Sequence, residues 1–484
     1  MKSVLQYIQR HAATNGKAIA FSNDERSVTY AHLLSRAAAY RDCLVSNGCN
    51  VGSRIGVALS DDIEAMAAII GIWACQATAV PIDFRNRKSQ RKETFDAFNL
   101  TVILEDMAGD ALHYSSIAIG EIAEHGQWKD INEFEAAPAI LTLTSGTTGQ
   151  PSGIVLHHHV QCNRCETYQQ LYSLNSLSRN LICYPISFSA SRSLCILTLI
   201  AGGQNCIAPI LSSGEELAAF IRTQEITEAY LVPATLEALI NAGEPEDFVL
   251  LRYLAFGSAP AAESLKARAL DFFHCNLFEI YSATSTGALS YHTAETLRNR
   301  PEAVGRIFAG VELEIADSFG NTLGIGQIGL VRTRGPALIT EVIGGHTGSD
   351  FVKDGWAYPG DLGSLDGNGF LTLAGRSSDM IVRGGEKIHP LEIEAVILQH
   401  PSVIDVAVLA IPHLTLGEQV AAVICLNDPQ ALGTLRGHCI SRLPGNKVPA
   451  QFKLIDEIPR NANGKTMRKS LTSMFLEPLT EGEK

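Results

Sequence analysis

Apolar residues recur along this chain with two periods, and the alternation between them sets the expected architecture. AHLLSRAAAYRDCLVSNG has apolar positions at helical spacing and stops at Gly48, which predicts an amphipathic helix. RIGVALS, from Arg54, is a short apolar run that predicts a strand. DDIEAMAAIIGIWACQA follows as a helix with an aspartate near its start, and TAVPIDF, from Thr78, is a second buried strand. Over residues 139–300 the rhythm repeats. AILTLTSG, LICYPIS, NCIAPI, EAYLVPA, YLAFGSA and NLFEIYSA are short apolar strands separated by helical stretches. Such a strand–helix–strand rhythm implies parallel strands with helices on both faces.

From about Val304 the texture changes. VELEIAD, QIGLVRTRG and FLTLAGR are alternating strands joined by Gly and Asp turns, which predicts a small antiparallel barrel or sheet. Beyond Gly375 the chain reads as a compact α+β tail. PLEIEAVILQHP and GTLRGHCISRL are its helices, VIDVAVLAIP and EQVAAVICL its strands. The break falls at Arg376 to Asp379. The expected fold class is α/β: a large N-terminal domain of doubly wound sheets plus a small β-barrel over residues 1–376, and a small α+β C-terminal domain over residues 377–484.

Composition narrows the function. Lys+Arg is 38 against Asp+Glu 51, a formal net charge of -13. That excess argues against nucleic-acid partners and anionic membranes, so an anionic substrate needs a locally built site. No apolar run reaches about 18 residues, so no membrane span is expected. The first residues lack a signal-peptide pattern, and eleven cysteines are too dilute for a disulfide scaffold. The expected location is cytoplasmic.

Three short motifs mislead. HHHVQCNRC, His157 to Cys165, holds a CxxC beside histidines, but no second ligand pair follows, and a helix start explains it. GIGQIG, Gly324 to Gly329, matches GxGxxG but runs into the strand LVRTRG where dinucleotide binding needs a helix. ANGKT, Ala462 to Thr466, resembles the end of a Walker loop, yet the required first glycine is Pro459.

The strongest chemical signal is LTLTSGTTGQPSG, Leu141 to Gly153. A strand runs into Thr144, Ser145, Gly146, Thr147, Thr148 and Gly149. Glycines let the backbone turn tightly and present N–H groups, and the adjacent hydroxyls add donors, so the loop can wrap phosphate oxygens. A plain polar turn is the alternative reading.

TSGTTGQPSG resembles the phosphate loop of the adenylate-forming superfamily, which includes acyl- and aryl-CoA synthetases, nonribosomal-peptide adenylation domains and firefly luciferase. The resemblance continues in order to Leu471. FGSAPA, with Ser258, Ala259 and Pro260, is similar to the family's adenine loop, and YSATS, Tyr281 to Ser285, stands where YGxTE is usual. YPGDLGSLDGNGFLTLAGRSSDMIVRGGEKIHPLEIE, Tyr358 to Glu394, is a near-continuous match, and PRNANGKTMRKSL, Pro459 to Leu471, resembles the terminal catalytic-lysine segment. The resemblance implies roles. Asp361 accepts the ribose hydroxyls of ATP, a bidentate acceptor for a vicinal diol. Arg376 donates nearby, Tyr281 stacks on adenine, Ser282 lies in the nucleotide site, and Thr284 donates to the α-phosphate. Lys465 stabilises the charge that builds as a carboxylate attacks that phosphate. Asp379 is the hinge of a mobile C-terminal domain, or alternatively a capping residue. Arg383, Gly384, Gly385 and Lys387 line a tunnel for the thiol arm, or form a plain tight turn.

The sequence departs from the family at three places. The phosphate-loop lysine is Ser152, the glutamate of YGxTE that helps hold Mg²⁺ is Ser285, and the glycine of that motif is Ser282, which narrows the acyl-pocket floor. The acyl pocket reads from YPISFSASRSL: Phe188 takes the place of an aromatic gate, and Ser189 stands where amino-acid-activating relatives carry an aspartate. Val232, Phe256, Gly257 and Ala283 are further walls, with Pro233, Ala255 and Ile280 beside them. Phe188 and Phe256 are expected to sandwich a flat ring. Arg192 is the one nearby charge, facing either pocket or solvent. The expected activity is AMP-forming activation of a small carboxylic acid, aryl or short acyl, with ATP and Mg²⁺, then transfer to coenzyme A. Loading of an acyl carrier protein is the first alternative, and a non-catalytic nucleotide-binding relative the second.

Overall fold

The computed structural model describes residues 3–107, 114–129, 131, 138–144, 152–210, 212–339, 341–344, 351–460 and 466–476. Four sheets organise the chain, and the expected α/β class holds. The first has nine strands, ordered Arg306–Ile307, Gly287–Thr293, Asn276–Ala283, Tyr253–Gly257, Glu228–Leu231, Arg179–Ile182, Gln204–Ile207, Ile19–Ser22 and Ser27–Thr29. Its middle is parallel and both margins turn antiparallel. The second has seven strands around the parallel set Pro138–Thr144, Thr78–Pro81, Arg54–Ala58, Val102–Glu105 and Ser116–Ala118.

The predicted helices form where their caps allow. Asp61 accepts from the amides of Ile63 and Glu64, at 2.8 and 3.2 Å, and starts helix Asp62–Ala74. That helix is buried almost all round, as its continuous apolar run requires. With helix Tyr30–Ser46 it joins a core that draws residues from both large sheets and from helices His158–Tyr168 and Ser189–Ala201. Cys162 and Cys165 are buried on helix His158–Tyr168, which is the helical reading of the CxxC. A second core lies on the other side of the nine-stranded sheet, under helices Gly214–Thr223, Pro233–Ala242 and Glu263–Phe272.

The third sheet has six strands, antiparallel throughout, from Glu312–Ala316 to Leu371–Arg376. GIGQIG is the turn entering strand Gly329–Arg334 within it. A single 3-10 turn, Ser377–Asp379, connects it to the fourth sheet. There strands Val403–His413 and Gly417–Leu426 form a long hairpin covered by helices Pro390–Ile397, Leu432–Ile440 and Arg468–Leu476. This last unit has its own cores, around Ile393 and Val408 and around Leu409 and Leu471. Among the described residues no helix is long and apolar enough to cross a membrane.

Candidate active site

Strand ends gather the expected nucleotide residues. Asp361 opens strand Asp361–Leu365 and Arg376 closes strand Leu371–Arg376, and the two are cross-strand partners. The Arg376 guanidinium stands 3.2 Å from Asp361 Oδ1 and donates to Pro359 O at 2.5 Å. Tyr281 arrives from the nine-stranded sheet, and its hydroxyl donates to Asp361 Oδ2 at 2.5 Å. These directional contacts fix the plane of the carboxylate, and they tie two sheets together at the same point. Burial, and then the Asp361 charge, push the Tyr281 phenol well above its ordinary range, so it remains a donor. The Tyr281 ring packs against the small core of Ile315, Val331 and Leu371.

The adenine-loop expectation falls on a strained turn. Ser258 follows strand Tyr253–Gly257 with φ +67°, unusual for a residue with a side chain, and its hydroxyl shares a 2.8 Å hydrogen bond with Tyr230. Ala259 and Pro260 continue that turn toward solvent. Gly257 is required by its neighbours: a Cβ there would lie 2.2 Å from Ile280 O and 2.9 Å from the Tyr230 hydroxyl. Ser282 lies beside the buried Tyr168, and Ala283 pairs with Gly287 across the turn that carries Thr284. Thr144 ends strand Pro138–Thr144; its side chain, Ser145 to Gly149, and Lys465 lie outside the described residues.

The acyl segment is held from several sides. Phe188 caps helix Ser189–Ala201, and its ring meets Tyr184 edge to face at 5.7 Å. The Tyr184 hydroxyl accepts from Val232 N at 2.8 Å and donates to Thr235 at 2.9 Å, which joins Phe188 and Val232 into one wall. Ser189 is the first residue of its helix and half-buried.

One expectation needs correction, and one open alternative closes. Phe256 cannot face Phe188 across a ring. It is fully buried in the second core with Leu231 and Leu254, whereas Ala255, Tyr230, Ile280 and the helix after Phe188 belong to the first core. Residues alternate faces along a strand, so Ala255 and Gly257 share one side and Phe256 takes the other. Arg192 does not face solvent. It is 1% exposed, and its Nη1 donates to Ile186 O at 2.8 Å.

Sequence reasoning missed four buried ionisable groups. Arg164, on helix His158–Tyr168, donates to Ala337 O at 3.1 Å beneath Gly287, and burial without a carboxylate lowers its pKa to about 10. Asp62 accepts from Ile186 N at 2.9 Å, and burial raises its pKa to about 7. Lys266 and Glu279 pair at 2.7 Å within the second core side of the sheet. None has a local sequence signal, because each partner lies on a different element. The expected hinge does have a visible partner: Asp379 Oδ2 is 3.3 Å from Arg468 Nε. Gly384 and Gly385, with φ +59° and +87°, make the turn between Arg383 and Glu386, and the hairpin, with Lys387, is exposed.

The AMP-binding enzyme family matches residues 8–341, and the AMP-binding enzyme C-terminal domain matches residues 392–465. A naringenin synthase of Pestalotiopsis fici is 28% identical over 99% of this chain, although the chain spans only 19% of that protein. An uncharacterized acyl–CoA ligase of Bacillus subtilis, YhfT, is 27% identical over 96% of this chain and 97% of its own length. In fold, the chain is similar to the o-succinylbenzoate CoA synthetase of Bacillus subtilis solved with an acyl-adenylate intermediate, with TM-score 0.88, 24% identity and 99% coverage of both chains. With one continuous match over more than half of the chain, Tyr281 included, and a second match over residues 392–465, the chain belongs to the AMP-binding enzyme family, the adenylate-forming superfamily.

Proposed function

We propose that this protein is an AMP-forming acid–thiol ligase that acts on a small carboxylic acid, aryl or short acyl, and hands the acyl group to coenzyme A. The observation that carries the reading is the Tyr281–Asp361–Arg376 constellation, a carboxylate oriented by a phenol and a guanidinium where two sheets meet. Such a group suits the ribose diol of ATP. The loop Ser145 to Gly149 cradles the phosphates, Thr284 donates to the α-phosphate, and Ser258 to Pro260 border the base. In the first step a carboxylate oxygen of the acid attacks the α-phosphorus and the bond to pyrophosphate breaks. Lys465 supports the charge shared between the two anions. In the second step a thiolate attacks the acyl carbon and AMP leaves. The segment 377–484 rotates about Asp379 between the steps and brings Arg383 to Lys387 to the site.

Mg²⁺ has a sparse protein shell in this reading. The side chain at the usual carboxylate position, Ser285, is 7% exposed, and its backbone carbonyl accepts from Ile339 N at 3.4 Å. Mg²⁺ commonly keeps several waters, so the ATP phosphates and water would hold the ion.

Transfer to a carrier protein is the second reading. It is favoured by the long fungal relative, in which the matched region is one fifth of a larger chain, an arrangement suited to a tethered thiol. Pyrophosphate release across a panel of benzoate-type, short aliphatic, long-chain and α-amino acids tests the proposal. Lys465→Ala is expected to cut release by several orders of magnitude with far smaller effects on substrate affinity. Wild-type protein that releases no pyrophosphate with any acid would make this a non-catalytic nucleotide-binding relative.

A further inference from the structure

The acyl segment and the strand that feeds the phosphate loop are joined by one side chain. Arg192 lies in the first turn of helix Ser189–Ala201, just after Phe188 and Ser189. Its Nη1 donates to Ile186 O at 2.8 Å and to Ser187 O at 3.1 Å. Its Nη2 donates to Thr142 Oγ1 at 2.7 Å. Thr142 is buried in strand Pro138–Thr144, two residues before that strand ends. On the other side of the same peptide segment, Asp62 accepts from Ile186 N at 2.9 Å. The amide and the carbonyl of Ile186 are thus both held by buried ionisable side chains.

This arrangement is expensive. Arg192 is 1% exposed, and among the described residues no carboxylate forms an ion pair with it. The partners named above are neutral oxygens. Burial, and then the neighbouring Arg164 charge, lower its pKa to about 10. An apolar residue of similar volume would fill the space at lower cost. What it could not do is make three directional bonds from one planar fork.

We infer that Arg192 is a positioning residue that couples the acid site to the nucleotide site, so that each substrate strengthens binding of the other through the Ile186–Arg192–Thr142 chain. The inference rests on the proposed function, since it needs acid beside Phe188 and nucleotide at the loop after Thr144. Coupling carried by a contiguous hydrogen-bond network is reciprocal. It also depends on every link, and the Thr142 hydroxyl is a single link.

The test is calorimetric titration of the full-length protein with α,β-methylene-ATP, which keeps its α–β bond, with and without the acid that gives the fastest pyrophosphate release. In wild type the acid should tighten nucleotide binding about fivefold or more. T142V, which removes only the hydroxyl, should bring that factor close to one. T142S, which restores it, should recover the wild-type factor. R192K, a point charge in place of the fork, should behave as T142V and gives the same readout if T142V is too unstable to titrate. Circular dichroism melts of each variant establish that the fold is retained. An unchanged factor in T142V or R192K, a loss in T142S equal to that in T142V, or no coupling in wild type overturns the inference while the ligase reading stands. Failure of wild type to bind the nucleotide analogue or release pyrophosphate overturns both.

Discussion

At the scale of single residues, the site divides into groups that motifs announce and groups that only folding assembles. Asp361, Arg376 and Tyr281 were legible because each sits in a segment of distinctive spelling. Their mutual contact was not, since Tyr281 and Asp361 are 80 positions apart. That contact makes Tyr281 more than a flat surface for a base. Tyr281→Phe keeps the ring and removes the donor to Asp361. Hydrogen bonds to charged groups contribute about 1.5–3 kcal/mol net, so the KM for ATP should rise by roughly tenfold or more while kcat changes little; steady-state kinetics at saturating acid check it. Asp62 was invisible for the same reason, being read only as the start of a helix. Its folded-state pKa, about 7, lies above its ordinary value of 3.8. Below about pH 4 both folded and unfolded chains hold the proton, and Asp62 has no effect on stability. As pH rises from 4 to 7 the unfolded chain loses its proton first, so stability falls, with a limiting slope of about 1.4 kcal/mol per pH unit for one group. Buried His158 and His292, each lowered to about 4, act with the opposite sign. The informative quantity is therefore the difference between variants. Asp62→Asn mimics the protonated acid, and its thermal midpoint should fall less than that of wild type between pH 4 and 7. Parallel curves would place the proton elsewhere.

At the scale of elements, periodicity served well where a strand or helix is bounded by turn residues. AILTLTSG, YLAFGSA and NLFEIYSA all form the strands that their apolar runs suggest. GALSYHT was passed over, and it forms the strand Gly287–Thr293 antiparallel to Asn276–Ala283. Its mixture of small and polar residues gives no period, and its place is set by the turn that carries Thr284. The misplacement of Phe256 came from treating neighbouring residues as one wall, although strand alternation sends it to the opposite core. The helix Ser189–Ala201 carries the substrate prediction. Ser189 is its first residue, so the proposed acyl site adjoins the positive end of a helix dipole. The buried Arg192 adds another positive charge in that first turn. An ammonium there has no aspartate to meet it, and a buried charge deprived of its partner typically costs about 3–5 kcal/mol. A serine hydrogen bond returns only about 0.5–1.5 kcal/mol. α-Amino acids should therefore turn over roughly tenfold to a thousandfold less efficiently than aryl or short aliphatic acids, at ~1.4 kcal/mol per tenfold. Competitive pyrophosphate release decides it, and best turnover on an α-amino acid would mean that another residue supplies the missing carboxylate.

At the scale of the whole molecule, the proposed reaction needs two half-reactions to share one site, and the connection between the third and fourth sheets is the proposed place of the rotation between them. The sequence suggests a break at Arg376 to Asp379 because an alternating strand gives way there to a new helical pattern. The structure adds that the connection is one short turn, Ser377–Asp379, and that Asp379 is tied to Arg468 of the helix Arg468–Leu476 at 3.3 Å. Arg468 also donates to Glu394 Oε1 at 2.8 Å, so the turn is latched to the C-terminal unit through a half-buried guanidinium. A hinge must absorb a φ/ψ change at few positions. Asp379→Pro fixes φ at the hinge and restricts Ser378 before it. Asp379→Ala removes the ion pair and leaves the backbone free. If rotation separates the half-reactions, the proline variant should still form acyl-adenylate while its thioester formation falls by orders of magnitude. The alanine variant should retain both steps, slowed at most modestly by loss of the latch. Pyrophosphate release and thioester production, measured on the same samples, report the two steps independently. Equal loss of both steps in the proline variant would assign Asp379 to folding of the turn. A selective loss in the alanine variant as well would show that the Arg468 ion pair, and not backbone freedom, controls the second step.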